Sequence, residues 1–179
     1  MNLAWIGCGN RGFLLLSKLR KMPGVEVVAA CDVYEPRRRR ALGWIGSRGT
    51  AYTDFRQALD RSDVDAVLIT TPDHWHAIPT ILACQADKDV YVEKPVGHNV
   101  KEGRAMIRAA RHYKRVVQTG TQQRSLPHFS DVRDMLKNRE LGDVRFVRIW
   151  NFINNYPKGI GHAPDEAAPD NLYWDLTLP

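Results

Sequence analysis

Short apolar runs alternate with longer stretches of helical period over the first two thirds of the chain, and this alternation predicts repeated strand-helix units. Strands are expected at about Asn2 to Ile6, Val25 to Cys31, Ala66 to Thr70, Val90 to Glu93 and Arg115 to Thr119, with a short one near Thr50 to Tyr52. Helices are expected near Arg11 to Lys21, Pro36 to Ile45, Phe55 to Arg61, His76 to Ala86 and Lys101 to Tyr113. The runs Val27-Val28-Ala29-Ala30 and Ala66-Val67-Leu68-Ile69 carry no polar face, as strands of a parallel sheet covered by helices on both sides require. The predicted fold class is α/β, a doubly wound parallel sheet.

After Gly120 the pattern changes. A helical stretch from about His128 to Asn138 leads to the turn Leu141-Gly142-Asp143 and then to Val144 to Ile153, the longest strand the sequence predicts. Val147, Ile149 and Ile153 share one face of that strand, and Phe146, Trp150 and Phe152 share the other, so both faces need cover. From Asn154 the chain is rich in Pro, Gly, Asn and Asp, and no second strand follows that could pair with this one. The expected organisation is one complete domain over residues 1–120 and the start of an incomplete α+β second domain over residues 121–179.

Composition narrows the class. The 179 residues are 44% apolar and 26% charged, which excludes a disordered chain, and no run of about eighteen apolar residues is present to span a membrane. The net charge of +6 is concentrated at Arg37, Arg38, Arg39 and Arg40, with mixed signs elsewhere, so no nucleic-acid or membrane partner is expected. The 3 cysteines, Cys8, Cys31 and Cys84, form no CxxC pair and no metal-ligand spacing. A reducing compartment follows from them, and with no signal-like start at Met1 the cytoplasm is the expected location.

The most informative segment is Gly7-Cys8-Gly9-Asn10-Arg11-Gly12, a G-x-G-x-x-G pattern between the first strand and the first helix. Asp32 stands 20 residues beyond Gly12, at the end of the second strand. A dinucleotide needs this arrangement: Gly7 for the tight turn, Gly9 for close approach of the pyrophosphate, Gly12 for helix-sheet packing, and a helix N-terminus facing the negative charge. Asp32 would accept hydrogen bonds from the adenosine ribose and repel a 2′-phosphate, which favours NAD over NADP. Arg37 has two readings, stacking on adenine or reaching a 2′-phosphate, and Arg39 and Arg40 read as a solvated helix face.

Two more segments lie at C-terminal ends of later strands, where open α/β sheets bind ligands. In Thr70-Thr71-Pro72-Asp73-His74-Trp75-His76, Pro72 stops the strand and Asp73 or His74 can cap the next helix. His74 and His76 lack a third ligand at suitable spacing, so no metal is expected. In Tyr91-Val92-Glu93-Lys94-Pro95, a lysine just past a buried strand is either a partly desolvated acid-base group of lowered pKa or one half of a salt bridge with Glu93 or a neighbour.

These segments, with Cys31-Asp32-Val33-Tyr34, Gly120-Thr121-Gln122-Gln123-Arg124 and Gly142-Asp143-Val144, resemble the Gfo/Idh/MocA family, that of glucose-fructose oxidoreductase and inositol dehydrogenase. Glu93-Lys94-Pro95 is the most specific of them. The resemblance implies a Rossmann-type domain and an NAD(P)-dependent dehydrogenase that moves hydride between nicotinamide and a sugar, cyclitol or related polyol. It implies that Lys94 is catalytic and assists proton transfer at the hydroxyl, and that a cis peptide precedes Pro95. It also implies cofactor contacts from Asn10, Arg11, Thr71, Pro72, Trp75, His76, Glu93, Lys94 and Gln122, beside Gly7, Gly9, Gly12, Asp32 and Arg37. Family members are longer, with a second domain that carries the substrate pocket and often the oligomer contacts. This chain is therefore expected to be the N-terminal portion of such a protein, a homo-oligomer when whole, with His162 and Asp165 poor substitutes for the missing catalytic pair. An NAD-dependent glycosidase and a non-catalytic NAD(P)-binding sensor are the alternative readings of the same resemblance.

Overall fold

The computed structural model describes residues 1–150, 161 and 165–178. Six strands, β1 (Asn2–Ile6), β2 (Glu26–Cys31), β3 (Thr50–Tyr52), β4 (Ala66–Ile69), β5 (Asp89–Glu93) and β6 (Val117–Gly120), form one sheet in the order β3-β2-β1-β4-β5-β6. Every pairing is parallel. The chain builds outward from β1 on one side and then starts again beside it with β4, so a crevice opens between their C-terminal ends, where the helical connections diverge. The helices are α1 (Asn10–Leu19), α2 (Glu35–Ile45), α3 (Phe55–Leu59), α4 (Ala77–Gln85), α5 (Val100–His112) and α6 (Pro127–Lys137).

The doubly covered sheet follows from strands without a polar side. Successive residues of β1 and β4 enter opposite cores: Ala4, Ile6, Val67 and Ile69 join Val90, Val92, Ala83 and Met106 on one face, while Trp5 and Leu68 join Phe13, Leu16 and Ala41 on the other. The second core is aromatic. Phe13 meets Trp5 edge-on at 4.7 Å and Trp44 at 5.3 Å between centroids. Two helices carry side-chain caps, Asp54 accepting from Arg56 N in α3 and Asn99 accepting from Glu102 N in α5.

Two expectations are corrected. Neither Asp73 nor His74 caps α4: residues Asp73–Trp75 form a 3-10 turn and Asp73 Oδ1 accepts from His74 N, so α4 starts at Ala77 without a side-chain cap. Arg40 is exposed, as expected, and its guanidinium also lies 3.9 Å from the Phe13 ring centroid. The long strand from Val144 is not formed over residues 144–150. With no neighbouring strand among the described residues its backbone has no ladder to join, and Phe146, Ile149 and Trp150 stay 80%, 89% and 67% exposed. Phe152, Ile153 and His162 lie outside the described residues.

The chain divides into two compact units, Met1–Gly120 with Ala168–Pro179, and Thr121–Ala167. The closing residues thus pack on the first unit rather than with the segment that precedes them. Tyr34 and Leu172 form an antiparallel bridge, Glu35 N donates to Asn171 O, and Tyr173 N donates to Val33 O. Among the described residues no helix is long and apolar enough to cross a membrane, and no cluster of His, Cys, Asp or Glu suits a metal ion.

Candidate functional site

A cavity of about 630 Å³ opens at the C-terminal ends of β1, β2 and β4. The turn after β1 forms its floor. Gly7 has φ +87°, and a Cβ there would stand 2.5 Å from Thr71 N, so this position requires glycine for both conformation and space. Thr70 Oγ1 donates to Gly7 O at 2.6 Å, which ties the turn to the end of β4. Gly9 differs from Gly7. It lines the cavity, a Cβ on it would meet no protein atom within 4 Å, and so the room left by its missing side chain belongs to the cavity. Gly12 faces inward, where a Cβ would run into Trp5 Nε1 and stand 2.6 Å from Thr70 Oγ1.

Gly9 is also the N-cap of α1, and no side chain caps that helix or adds an acidic group to its first turn. The free N–H groups and the positive end of the helix dipole therefore act together beside Gly9. Asp32, 7% exposed, directly follows β2 on the other side. Its Oδ2 accepts from Cys8 N at 2.8 Å and its Oδ1 from Tyr34 N at 2.9 Å, so two backbone bonds fix the carboxylate and leave each oxygen a free lone pair. Desolvation, and then the Asp32 charge, push the thiols of Cys8 and Cys31 well above the usual range. Burial does the same for Cys84. All three should stay protonated in the folded protein through about pH 8.5, where a free thiol ionises. A thiol-reactive dye at that pH should label native protein slowly and all 3 cysteines after unfolding; fast native labelling would contradict this packing.

The four arginines part company. Arg37 lines the cavity and lies 5.8 Å from the Tyr34 ring. Arg38 Nη1 donates to Asp32 O, Arg39 pairs with Glu35, and Arg40 covers Phe13. On the β4 side Thr71, Pro72 and Trp75 form the wall, with Trp75 edge-on to Phe55 at 5.9 Å.

Of the residues the sequence singles out, Gly7, Gly9, Asn10, Arg11, Asp32, Arg37, Thr71, Pro72 and Trp75 line this cavity, and five do not. Gly12 packs behind it. His76 is 1% exposed, with Nδ1 2.6 Å from Pro95 O and Nε2 2.9 Å from Thr71 O; it is a strut joining the loops after β4 and β5. Glu93 is buried and bonded to Arg11 Nη2 at 2.7 Å and to Lys94 N at 3.2 Å, in space kept open by Gly120, where a Cβ would stand 2.8 Å from Glu93 Oε1. Lys94 is exposed, forms no ion pair with Glu93, and precedes a cis peptide to Pro95. Neither the desolvation nor the salt bridge that the sequence offered for it is supplied within the described residues. Gln122 belongs to the second unit.

The sequence reading missed two parts of the wall. Thr53, Asp54, Phe55 and Arg56 follow β3, whose C-terminal end borders the crevice beside β2, and the strand order was the available signal. Pro169, Leu172, Leu176 and Thr177 come from the closing segment, whose Leu172-Tyr173-Trp174-Asp175-Leu176 resembles a mid-chain segment of the family without pointing to this cavity.

The donor set fits a dinucleotide. Cavity size is within the range of small-molecule sites, Gly9 leaves backbone approach open, and the α1 N-terminus suits a pyrophosphate. Among the described residues the buried Nε of Arg11 has no hydrogen-bond partner, and Asp32 offers acceptors for hydroxyl groups.

A family profile described as an oxidoreductase family with an NAD-binding Rossmann fold, GFO_IDH_MocA, matches residues 1–121. The inositol 2-dehydrogenase of Salmonella paratyphi B is 30% identical over 173 residues, 96% of this chain and 50% of that protein. A glycosyl hydrolase family 109 protein of Shewanella sp. W3-18-1 is 34% identical over 110 residues, 57% of this chain and 24% of that protein. The crystal structure of myo-inositol 2-dehydrogenase from Lactobacillus plantarum superposes with a TM-score of 0.73 at 27% identity, over 80% of this chain and 42% of that one. The chain thus spans half or less of the length of these relatives. With its glycine turn, its β2 aspartate and its 3-2-1-4-5-6 parallel sheet, the chain belongs to the Gfo/Idh/MocA family of oxidoreductases with an NAD-binding Rossmann fold.

Proposed function

We propose that this chain is the nucleotide-binding part of an NAD-dependent dehydrogenase whose substrate is a sugar, cyclitol or related polyol. The observation that carries the reading is the convergence of Gly9, the uncapped N-terminus of α1 and the fixed carboxylate of Asp32 on one cavity. In the whole protein, residues 121–167 begin a second domain that carries the substrate pocket and the oligomer contacts.

Bound nicotinamide dinucleotide would supply the hydride chemistry. The protein's own groups hold and orient it. Gly9 and the first-turn N–H groups of α1 receive the pyrophosphate, while Asp32 accepts from the adenosine ribose and, being negative, disfavours a 2′-phosphate. Trp75 and Thr71 wall the opposite side. Glu93 positions Arg11 through their 2.7 Å ion pair, and His76 holds the loop that carries Lys94. Lys94 takes or returns the proton at the substrate hydroxyl.

Fluorescence titration tests the binding part. NADH is expected to bind the folded chain more tightly than NADPH, and a folded protein that binds neither would sink the reading. Lys94→Ala should leave NADH affinity within about twofold and reduce turnover of the full-length protein by about 100-fold or more.

The 34% identity to a glycosyl hydrolase family 109 protein supports a second reading, a glycosidase that uses bound NAD for transient oxidation. Assay of the full-length protein separates the two, since a dehydrogenase changes net NADH with product formed and such a glycosidase does not.

A further inference from the structure

The last described residues form a strap across the cavity. At one end Leu172 bridges Tyr34, flanked by the bonds of Glu35 N to Asn171 O at 3.0 Å and of Tyr173 N to Val33 O at 3.1 Å. Arg38, which also holds Asp32 O, lies 5.5 Å from the Tyr173 ring. This anchor is on the loop after β2, beside Asp32. At the other end Thr177 O accepts from Trp75 Nε1 at 2.9 Å and lies 3.1 Å from His74 Nε2, on the loop after β4. Between these anchors Leu172 and Leu176 line the cavity, while Tyr173 and Trp174 are 55% and 56% exposed.

The two anchor loops lie on either side of the glycine turn after β1. A segment fixed to both must cross the crevice in which a dinucleotide would lie extended. We propose that Leu172 and Leu176 form the outer wall of the dinucleotide site, packing against the bound nucleotide, with Leu172 on its adenosine side. The nucleotide site is then not complete at Gly120. It requires a return of the chain more than forty residues further along. The inference rests on the dinucleotide reading of the cavity.

Hydrogen exchange on the unaltered chain, with and without NADH, is the first test. NADH should slow exchange of the amides between Leu172 and Thr177 as well as those of the glycine turn. Slowing at the glycine turn alone would overturn the strap while leaving the dinucleotide reading standing, and no NADH binding at all would overturn both. The second test compares Leu172→Asp and Leu176→Asp with Trp174→Ala, whose side chain does not line the cavity. The aspartate variants should weaken NADH binding by about tenfold or more, and Trp174→Ala by less than about twofold. ADP-ribose should follow NADH in Leu172→Asp, whereas nicotinamide mononucleotide should not. Wild-type NADH affinity in both aspartate variants would refute the proposal, and so would equal weakening by Trp174→Ala.

Discussion

Replacing Gly9 with valine is expected to lower NADH affinity by about 100-fold or more, equivalent to about 2.7 kcal/mol, with little loss of stability. The backbone of Gly9 has φ −79° and ψ −177°, an extended conformation open to any residue. Its Cβ would meet no protein atom within 4 Å, so the fold has no steric objection to the change. The N-cap preference for glycine over valine costs about 1 kcal/mol, or a few degrees in melting temperature for a chain of this size. The new methyl groups project into the cavity beside the free N–H groups of α1, where the pyrophosphate must come close. Gly12→Val should behave in the opposite way. Its side chain would be driven against buried Trp5 and Thr70, which are joined by a 3.1 Å hydrogen bond and cannot easily give way. Overpacking of this kind costs about 1–3 kcal/mol or more. Calorimetry with NADH titration on the two variants checks both halves, and equal stability loss at the two positions would contradict the geometry.

That contrast shows what can be read from a motif. G-x-G-x-x-G identifies three glycines, and the spacing to Asp32 says which ligand they suit. Which glycine serves conformation, which the ligand and which the core becomes visible only when Thr71, the cavity and Trp5 are in place around them. The sheet itself was legible, because Val28, Val67, Ile69 and their neighbours leave no polar face to the strands, and burial on both sides is then the only stable arrangement. The strand from Val144 was not, since alternating apolar residues record a preference for a sheet without supplying the neighbour that makes one.

Side-chain roles beyond the first turn were harder to read for a similar reason. His76 has the residue type and position of a ligand contact, yet its ring is enclosed between two carbonyls. Glu93 stands next to Lys94 in sequence and pairs with Arg11, 82 residues away. Desolvation was one of two readings of Lys94, beside a salt bridge, and it depends on what packs over the end of β5, which its own segment does not encode. Leu172-Tyr173-Trp174-Asp175-Leu176 resembles a mid-chain segment of the family in sequence, but that says nothing of where it packs, and only the bridge to Tyr34 reveals its place.

Asp32→Ala is expected to have the second largest effect, and it should change specificity as well as affinity. The carboxylate accepts from Cys8 N and Tyr34 N, and both donors would lose their partner. Cys8 is buried, so its N–H in particular would be left unpaired away from water, at a cost of about 1–3 kcal/mol in stability. NADH would also lose its ribose acceptors, and a weakening of about tenfold or more should follow. NADPH should be affected differently. Removing the negative charge relieves repulsion of a 2′-phosphate, while Arg37 and the dipole of α1 remain, so the preference for NADH over NADPH should shrink or reverse. Asp32→Asn is the informative partner, because an amide has one oxygen to accept with and must turn its NH2 group toward either Cys8 N or Tyr34 N. It should therefore recover only part of the lost stability while keeping the relaxed cofactor preference. Urea unfolding combined with parallel NADH and NADPH titrations separates these effects. An Asp32→Ala protein with an unchanged ratio of the two affinities would show that discrimination between the cofactors lies elsewhere in the cavity.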